Sequence, residues 1–133
     1  MSYTETQREL LHKGFDQPDE VREFPNGRAE ILEVDGGSVG RFVFQPGWRW
    51  SQDVKPVAGT SSCEVQHFQY QVSGRLGIRM DDGTEFVSGP GDILSIPSGH
   101  DGWVVGDETA VLVQYDCGPG TCERLGLPTE HRH

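Results

Sequence analysis

From Ala29 onward, apolar residues recur in short runs that alternate with polar ones, and each run stops at a turn-forming cluster. Alternation with a period of two is the mark of a strand with one face buried. The runs predict strands at Ala29–Val34, Ser38–Gln45, Val65–Ser73, Leu76–Met80, Glu85–Val87, Asp92–Ile96, Trp103–Val105 and Ala110–Asp116. Between them lie Asp35-Gly36-Gly37, Pro46-Gly47, Ser73-Gly74, Asp81-Asp82-Gly83, Gly89-Pro90-Gly91 and Gly106-Asp107. These clusters supply the positive φ and fixed φ that sharp turns need. Short strands at this spacing predict an all-β sandwich or barrel, with a jelly roll as one solution. The one long connection without strand character runs from Trp48 to Glu64, and a loop of that length in a compact domain is usually functional or mobile.

Ahead of the strands, Thr4 to Lys13 predicts a short helix capped by Thr4 or Thr6, with Leu10 and Leu11 as its apolar face. Phe15-Asp16-Gln17-Pro18 reads as a turn, and Glu20 to Phe24 as an extended lead-in ended by Pro25-Asn26-Gly27. The chain thus divides into an N-terminal extension (1–28), a β domain (29–116) and an irregular C-terminal tail (117–133) with little apolar periodicity.

Composition narrows the picture. A chain of 133 residues suits one domain, and 18 Gly and 8 Pro suit many tight turns rather than long helices. The net charge of −10 argues against nucleic acid and anionic membrane as partners, since both repel it. Met1 to Lys13 has no basic start followed by an apolar run, and no stretch reaches the length of a membrane span. Three cysteines do not suggest a disulfide framework. A cytoplasmic location is the expectation.

Two motifs carry a resemblance. Gly91, five residues, then Pro97-Ser98-Gly99 matches the second motif of the cupin superfamily, and Gly74 matches the glycine that closes the first. The chain resembles a small single-domain cupin over roughly 37–116, in a bacterial group whose metal motifs are degenerate. The implied fold is a double-stranded β-helix, or jelly-roll barrel, with a short N-terminal extension. Its usual shell of three histidines and one glutamate is mostly absent. His67 occupies the glutamate slot, the paired-histidine slots fall near Ser61 and Cys63, and the last histidine slot is Gly102, with His100 two positions earlier.

The resemblance also decides which way a strand faces. Along Val65 to Val72, Phe68, Tyr70 and Val72 share one face, and His67, Gln69 and Gln71 the other. Pattern alone sends the apolar face to the core. The cupin slot for His67 points into the barrel and takes Gln69 and Gln71 with it, leaving the apolar face for a covering layer or a second subunit. Buried carboxamides need partners, from a network, water or a ligand. The candidate ligand pocket is His67, Gln69, Gln71 and His100, with Trp50 and Trp103, and Trp48 beside them, as an aromatic rim. Cys63, His67 and His100 form a candidate metal set suited to zinc, or to iron with open positions, and Asp53 or Asp101 could add an oxygen. Arg41 and Arg49 are candidates for fixing an anionic group. Cys117 and Cys122 have only loosely metal-like spacing, and His131 and His133 are incidental.

Three functions stay open on these residues. One is a metal-dependent enzyme of dioxygenase, isomerase or cyclase type acting on a small organic molecule. The second is a metal-free enzyme or ligand-binding module in which His67 acts as catalytic acid or base. The third is a regulatory or structural dimer without catalysis. A homodimer and a small-molecule ligand are the expected partners.

Overall fold

The computed structural model describes residues 10–34, 37–63 and 67–116, apart from the side chains of 57 and 58. The helix expected at Thr4 to Lys13 falls mostly outside these residues, and Leu10 to Lys13 are not helical. Cys117, Cys122, His131 and His133 also lie outside them.

Among the described residues, nine strands form two antiparallel sheets. They are β1 (Glu20–Phe24), β2 (Gly27–Val34), β3 (Gly37–Phe44), β4 (His67–Ser73), β5 (Leu76–Met80), β6 (Glu85–Ser88), β7 (Ile93–Ile96), β8 (His100–Val104) and β9 (Ala110–Asp116). The large sheet has the order β1-β2-β3-β9-β4-β7, and the small sheet β6-β5-β8. The segment read as an extended lead-in is β1, paired along its whole length with β2, so the sheet starts at Glu20 rather than Ala29. Asn26 has a φ of 62°, a left-handed conformation that asparagine tolerates and that lets β1 turn into β2. The long connection carries two four-residue helices, α1 (Trp50–Asp53) and α2 (Lys55–Ala58).

Every inward face repeats the alternation of its strand. Leu76 and Ile78 of β5, Leu94 and Ile96 of β7, Val104 of β8, and Ala110 and Leu112 of β9 meet Phe44, Trp48, Trp50 and Cys63 in one core. Ile78 and Leu112 are at most 2% exposed; truncating either to alanine costs about 2–5 kcal/mol through lost burial and the cavity left behind. Two glycines are steric requirements. Gly74 has a φ of 70°, and a Cβ there would strike the backbone of Thr109 and Ala110. At Gly77 a Cβ would enter the indole of Trp103.

The polar face of β4 points inward: Gln69 and Gln71 are buried, while Tyr70 and Val72 are more than two-fifths exposed. The pairing explains this. β4 lies between β7 and β9, in register His67 with Ile96, Gln69 with Leu94 and Gln114, and Gln71 with Leu112. Their core residues share its inner side. A bulge between Gln71 and Ser73 then turns the strand toward Gly74.

Candidate metal centre and its cavity

Backbone pairing assembles the site. Cys63 forms a bridge to His100: the Cys63 N–H donates to the His100 carbonyl at 2.7 Å, and the Gly99 N–H to the Cys63 carbonyl at 2.7 Å. The β4–β7 ladder places His67 beside Ile96, four residues before His100 along the chain. Cys63, His67 and His100 thereby converge, with one ligand atom from each lying within 4.8 Å of the others. The Cys63 Sγ is 3.7 Å from His67 Nε2, and the two imidazoles meet edge to face at 5.1 Å between centroids.

The surrounding polar groups orient both rings. His100 Nδ1 lies 2.8 Å from the Pro97 carbonyl, which only accepts, so Nδ1 carries the proton and Nε2 the lone pair. His67 Nδ1 lies 2.7 Å from Gln114 Oε1, which also accepts from Gln69 Nε2 at 2.8 Å. With that amide oxygen between two donors, His67 too presents its lone pair at Nε2. Metal-ligating histidines are characteristically held this way, with the second ring nitrogen donating to a carbonyl or carboxylate. Two imidazole nitrogens and a thiol, with Cys63 and His100 buried and His67 half-buried, form a donor set that could hold a transition metal.

The degenerate motif acquires a physical reading. His100 and Gly102, the motif's own histidine slot, both face inward on β8 because they are two apart. A Cβ on Gly102 would lie 3.3 Å from Ile78 Cδ1 and 3.7 Å from Trp48 Cζ3, and Gly102 itself lines the cavity onto which the cluster opens. His100 therefore presents its imidazole on the same inner face as that slot.

The cluster opens on a cavity of about 520 Å³, within the usual range for small-molecule sites. Phe24, Phe42, Phe44, Trp48, Trp50, Leu76, Ile78 and Ile96 line it, along with His67, His100, Gln69 and Gln114; Glu20, Arg22, Glu33 and Ser38 come from the outer strands β1 to β3. The Glu20 carboxylate accepts from Arg22 Nε at 2.7 Å, which holds its pKa below the usual range.

Two candidates for the ligand pocket sit elsewhere. Gln71 faces inward but is fully buried and does not line the cavity. Its Nε2 donates to the carbonyls of Ser73 and Gly74 at 3.1 and 3.2 Å, and its Oε1 accepts from the Ser88 hydroxyl. It secures the turn at Gly74 rather than facing a ligand. Trp103 lies on the outward face of β8, one residue out of phase with His100, Gly102 and Val104. Its indole covers Gly77, its cross-strand partner, and takes the Arg49 guanidinium at 4.6 Å from the ring centroid. Trp50 and Trp48 do line the cavity.

The charged candidates are also engaged elsewhere. Asp101 Oδ1 accepts from the N–H groups of Ser51 and Gly102, and Asp53 from the Arg49 N–H. Arg41 pairs with the buried Glu30 at 2.6 Å and lies 5.0 Å above the Phe15 ring. Gln114 is the residue that reasoning from sequence missed. The available signal was one amide on the inward register of β9, after Ala110 and Leu112.

No protein-family model matches this chain, and no curated protein matches it in sequence. Solved structures do. A cupin 2 conserved barrel domain protein from Salinispora arenicola is 16% identical with a TM-score of 0.60, covering 90% of this chain and 98% of that one. A sugar phosphate isomerase of the cupin superfamily from Silicibacter pomeroyi is 18% identical with a TM-score of 0.59, covering 80% and 75%. The polyketide cyclase RemF from Streptomyces resistomycificus is 20% identical with a TM-score of 0.58, covering 81% and 79%. At these identities the likeness is one of fold: the chain has the cupin fold, and its reaction has to be argued from its own residues. No helix among the described residues is long and apolar enough to cross a membrane.

Proposed function

We infer that this protein is a metal-dependent small cupin that binds a small organic molecule in its barrel. Cys63 Sγ, His67 Nε2 and His100 Nε2 would hold one divalent ion, zinc or iron, with coordination positions open toward the cavity. The observation that carries the reading is the convergence of three ligand atoms within 4.8 Å, both imidazoles being oriented by acceptors at Nδ1. When bound, such an ion polarises a carbonyl or hydroxyl oxygen, or activates water or dioxygen. The chain's own part is to hold His67 through Gln114, keep Cys63 opposite His100 and exclude water with the Trp48 and Trp50 side of the cavity. A cyclase and an isomerase built on the same fold support an enzymatic role.

The competing reading is metal-free binding with His67 as acid or base, and the 3.7 Å contact between Cys63 and His67 suits it as well. Elemental analysis of the purified, untagged protein by plasma mass spectrometry decides between them. About one transition metal per chain, lost in His67→Ala and Cys63→Ser, supports the first. Substoichiometric metal, indifferent to both substitutions, overturns it. We also propose that the outer face carrying Phe68, Tyr70 and Val72 pairs two copies of the chain; light scattering that returns a monomer mass sinks that idea.

A further inference from the structure

Two buried polar atoms at the cavity have no hydrogen-bond partner: the Gln69 Oε1 acceptor and the Trp48 Nε1 donor. Both residues are 6% exposed, and both line the cavity. An unsatisfied buried group costs about 1–3 kcal/mol, and native structures keep few of them. Both atoms are closed to solvent, and both belong to side chains that line the cavity, so a group seated there would reach them once those side chains turn toward it. Gln69 Nε2 is already committed to Gln114, so its oxygen is the end left to offer. It asks for an O–H or N–H; Trp48 asks for an acceptor such as a carbonyl oxygen.

The rest of the lining describes the body of that ligand. Phe24, Phe42, Phe44 and Trp48 form a run of rings, with centroids 6.0 Å apart for Phe24–Phe44 and Phe42–Phe44 and 4.1 Å for Phe44–Trp48. Neighbouring planes differ by only 26–35°. Aligned rings of this kind favour a flat apolar partner. Among the described residues Arg22 is the one guanidinium in the lining, and it is ion-paired with Glu20 at 2.7 Å, so a phosphate ester would have to compete with that carboxylate for it.

We propose that the cavity selects a planar, uncharged aromatic compound carrying both a hydroxyl and a carbonyl, the hydroxyl donating to Gln69 Oε1 and the carbonyl accepting from Trp48 Nε1–H. This rests on the cavity being the binding site of the function proposed above, and it adds the chemical class of the ligand. Titration calorimetry on the full chain tests it with defined probes: a hydroxynaphthyl methyl ketone with hydroxyl and acetyl on opposite rings, its methyl ether, the parent naphthyl methyl ketone, and a hexose phosphate.

The hydroxyketone should bind about tenfold tighter than its methyl ether, as one neutral hydrogen bond predicts. That preference should vanish in Gln69→Met. Trp48→Phe keeps an aromatic ring, though a smaller one, loses the N–H, and should weaken all the ketones about tenfold. Equal binding of hydroxyketone and ether, a preference unchanged in Gln69→Met, or tighter binding of the hexose phosphate would each overturn the inference. Metal content measured on the same preparation separates the two claims. One metal per chain without hydroxyl discrimination sinks the ligand class alone; discrimination without metal sinks the metal reading alone.

Discussion

Gln69 and Gln71 stand two residues apart on the same face of the same strand, and they have opposite fates. Gln71 is sealed off: both ends of its amide are bonded, to two turn carbonyls and to the Ser88 hydroxyl. Gln69 spends its nitrogen on Gln114 and keeps a buried oxygen without a partner beside the cavity. One amide is fully used in holding the turn, while the other keeps an unmet acceptor. A buried polar residue is therefore best judged by its leftover valence rather than by its burial, because a satisfied amide gains nothing from a ligand and an orphaned one does.

That contrast can be broken experimentally, and the largest effect should come from the proposed metal ligands beside Gln69. His100→Ala removes one of the three proposed ligands and should abolish stoichiometric metal, a drop of about a hundredfold or more in affinity measured by competition with a chromogenic chelator; retention of metal would remove His100 from the proposed shell. Gln71→Leu comes next. It removes the donor to two turn carbonyls and the acceptor of the Ser88 hydroxyl, which keeps the Leu76 carbonyl, and should cost about 2–4 kcal/mol in urea unfolding, with metal stoichiometry of the folded fraction unchanged.

Gln114→Leu should act on the Gln69 side alone. It takes away the acceptor that orients His67 and should weaken metal about tenfold, in line with other residues that hold metal ligands in place. An unaltered affinity would mean that His67 is oriented by something else. Gln69→Leu should be milder in stability than Gln71→Leu, below about 1 kcal/mol, since it removes an unsatisfied oxygen along with one bond. If the two substitutions cost the same in urea, the contrast between the two amides fails.

The smallest effect lies far from both. Asp19 accepts the Glu33 N–H and Lys13 Nζ, each at 2.8 Å, and these contacts lower its pKa, the backbone bond first. A lowered carboxylate pKa contributes stability above the ordinary aspartate value, and that contribution disappears as pH falls through the folded-state pKa. Asp19→Asn should thus lower Tm slightly at neutral pH and converge with the parent in acid. A constant difference across the titration would show that Asp19's charge does not matter.

Much of this was legible in the chain. The strand list from Ala29 onward needed only alternation and turn chemistry, and Leu76–Met80 and Ala110–Asp116 match the structure end to end. The Cys63, His67 and His100 set was legible as well, through motif slots and spacing. Other features were not. Trp103 reads in sequence as part of an aromatic rim with Trp48 and Trp50, yet an odd offset on β8 turns it outward onto Gly77. The start of the sheet at Glu20 escaped because an edge strand of mostly exposed residues has no buried face to alternate. Gln114 escaped because a single amide among apolar strand positions carries no local pattern.

Local order is the part that sequence determined by itself. It specifies where strands run and turn, and that His67, Gln69 and Gln71 share a face, because side-chain direction alternates with a fixed period and turn residues act on their own backbone. Only the tertiary structure decided which way that face points and which of its members have partners. The deciding contacts, Gln69 with Gln114, Gln71 with Ser88 and Cys63 with His100, join residues 45, 17 and 37 positions apart. Strand pairing, rather than any neighbour in the chain, sets which donor meets which acceptor.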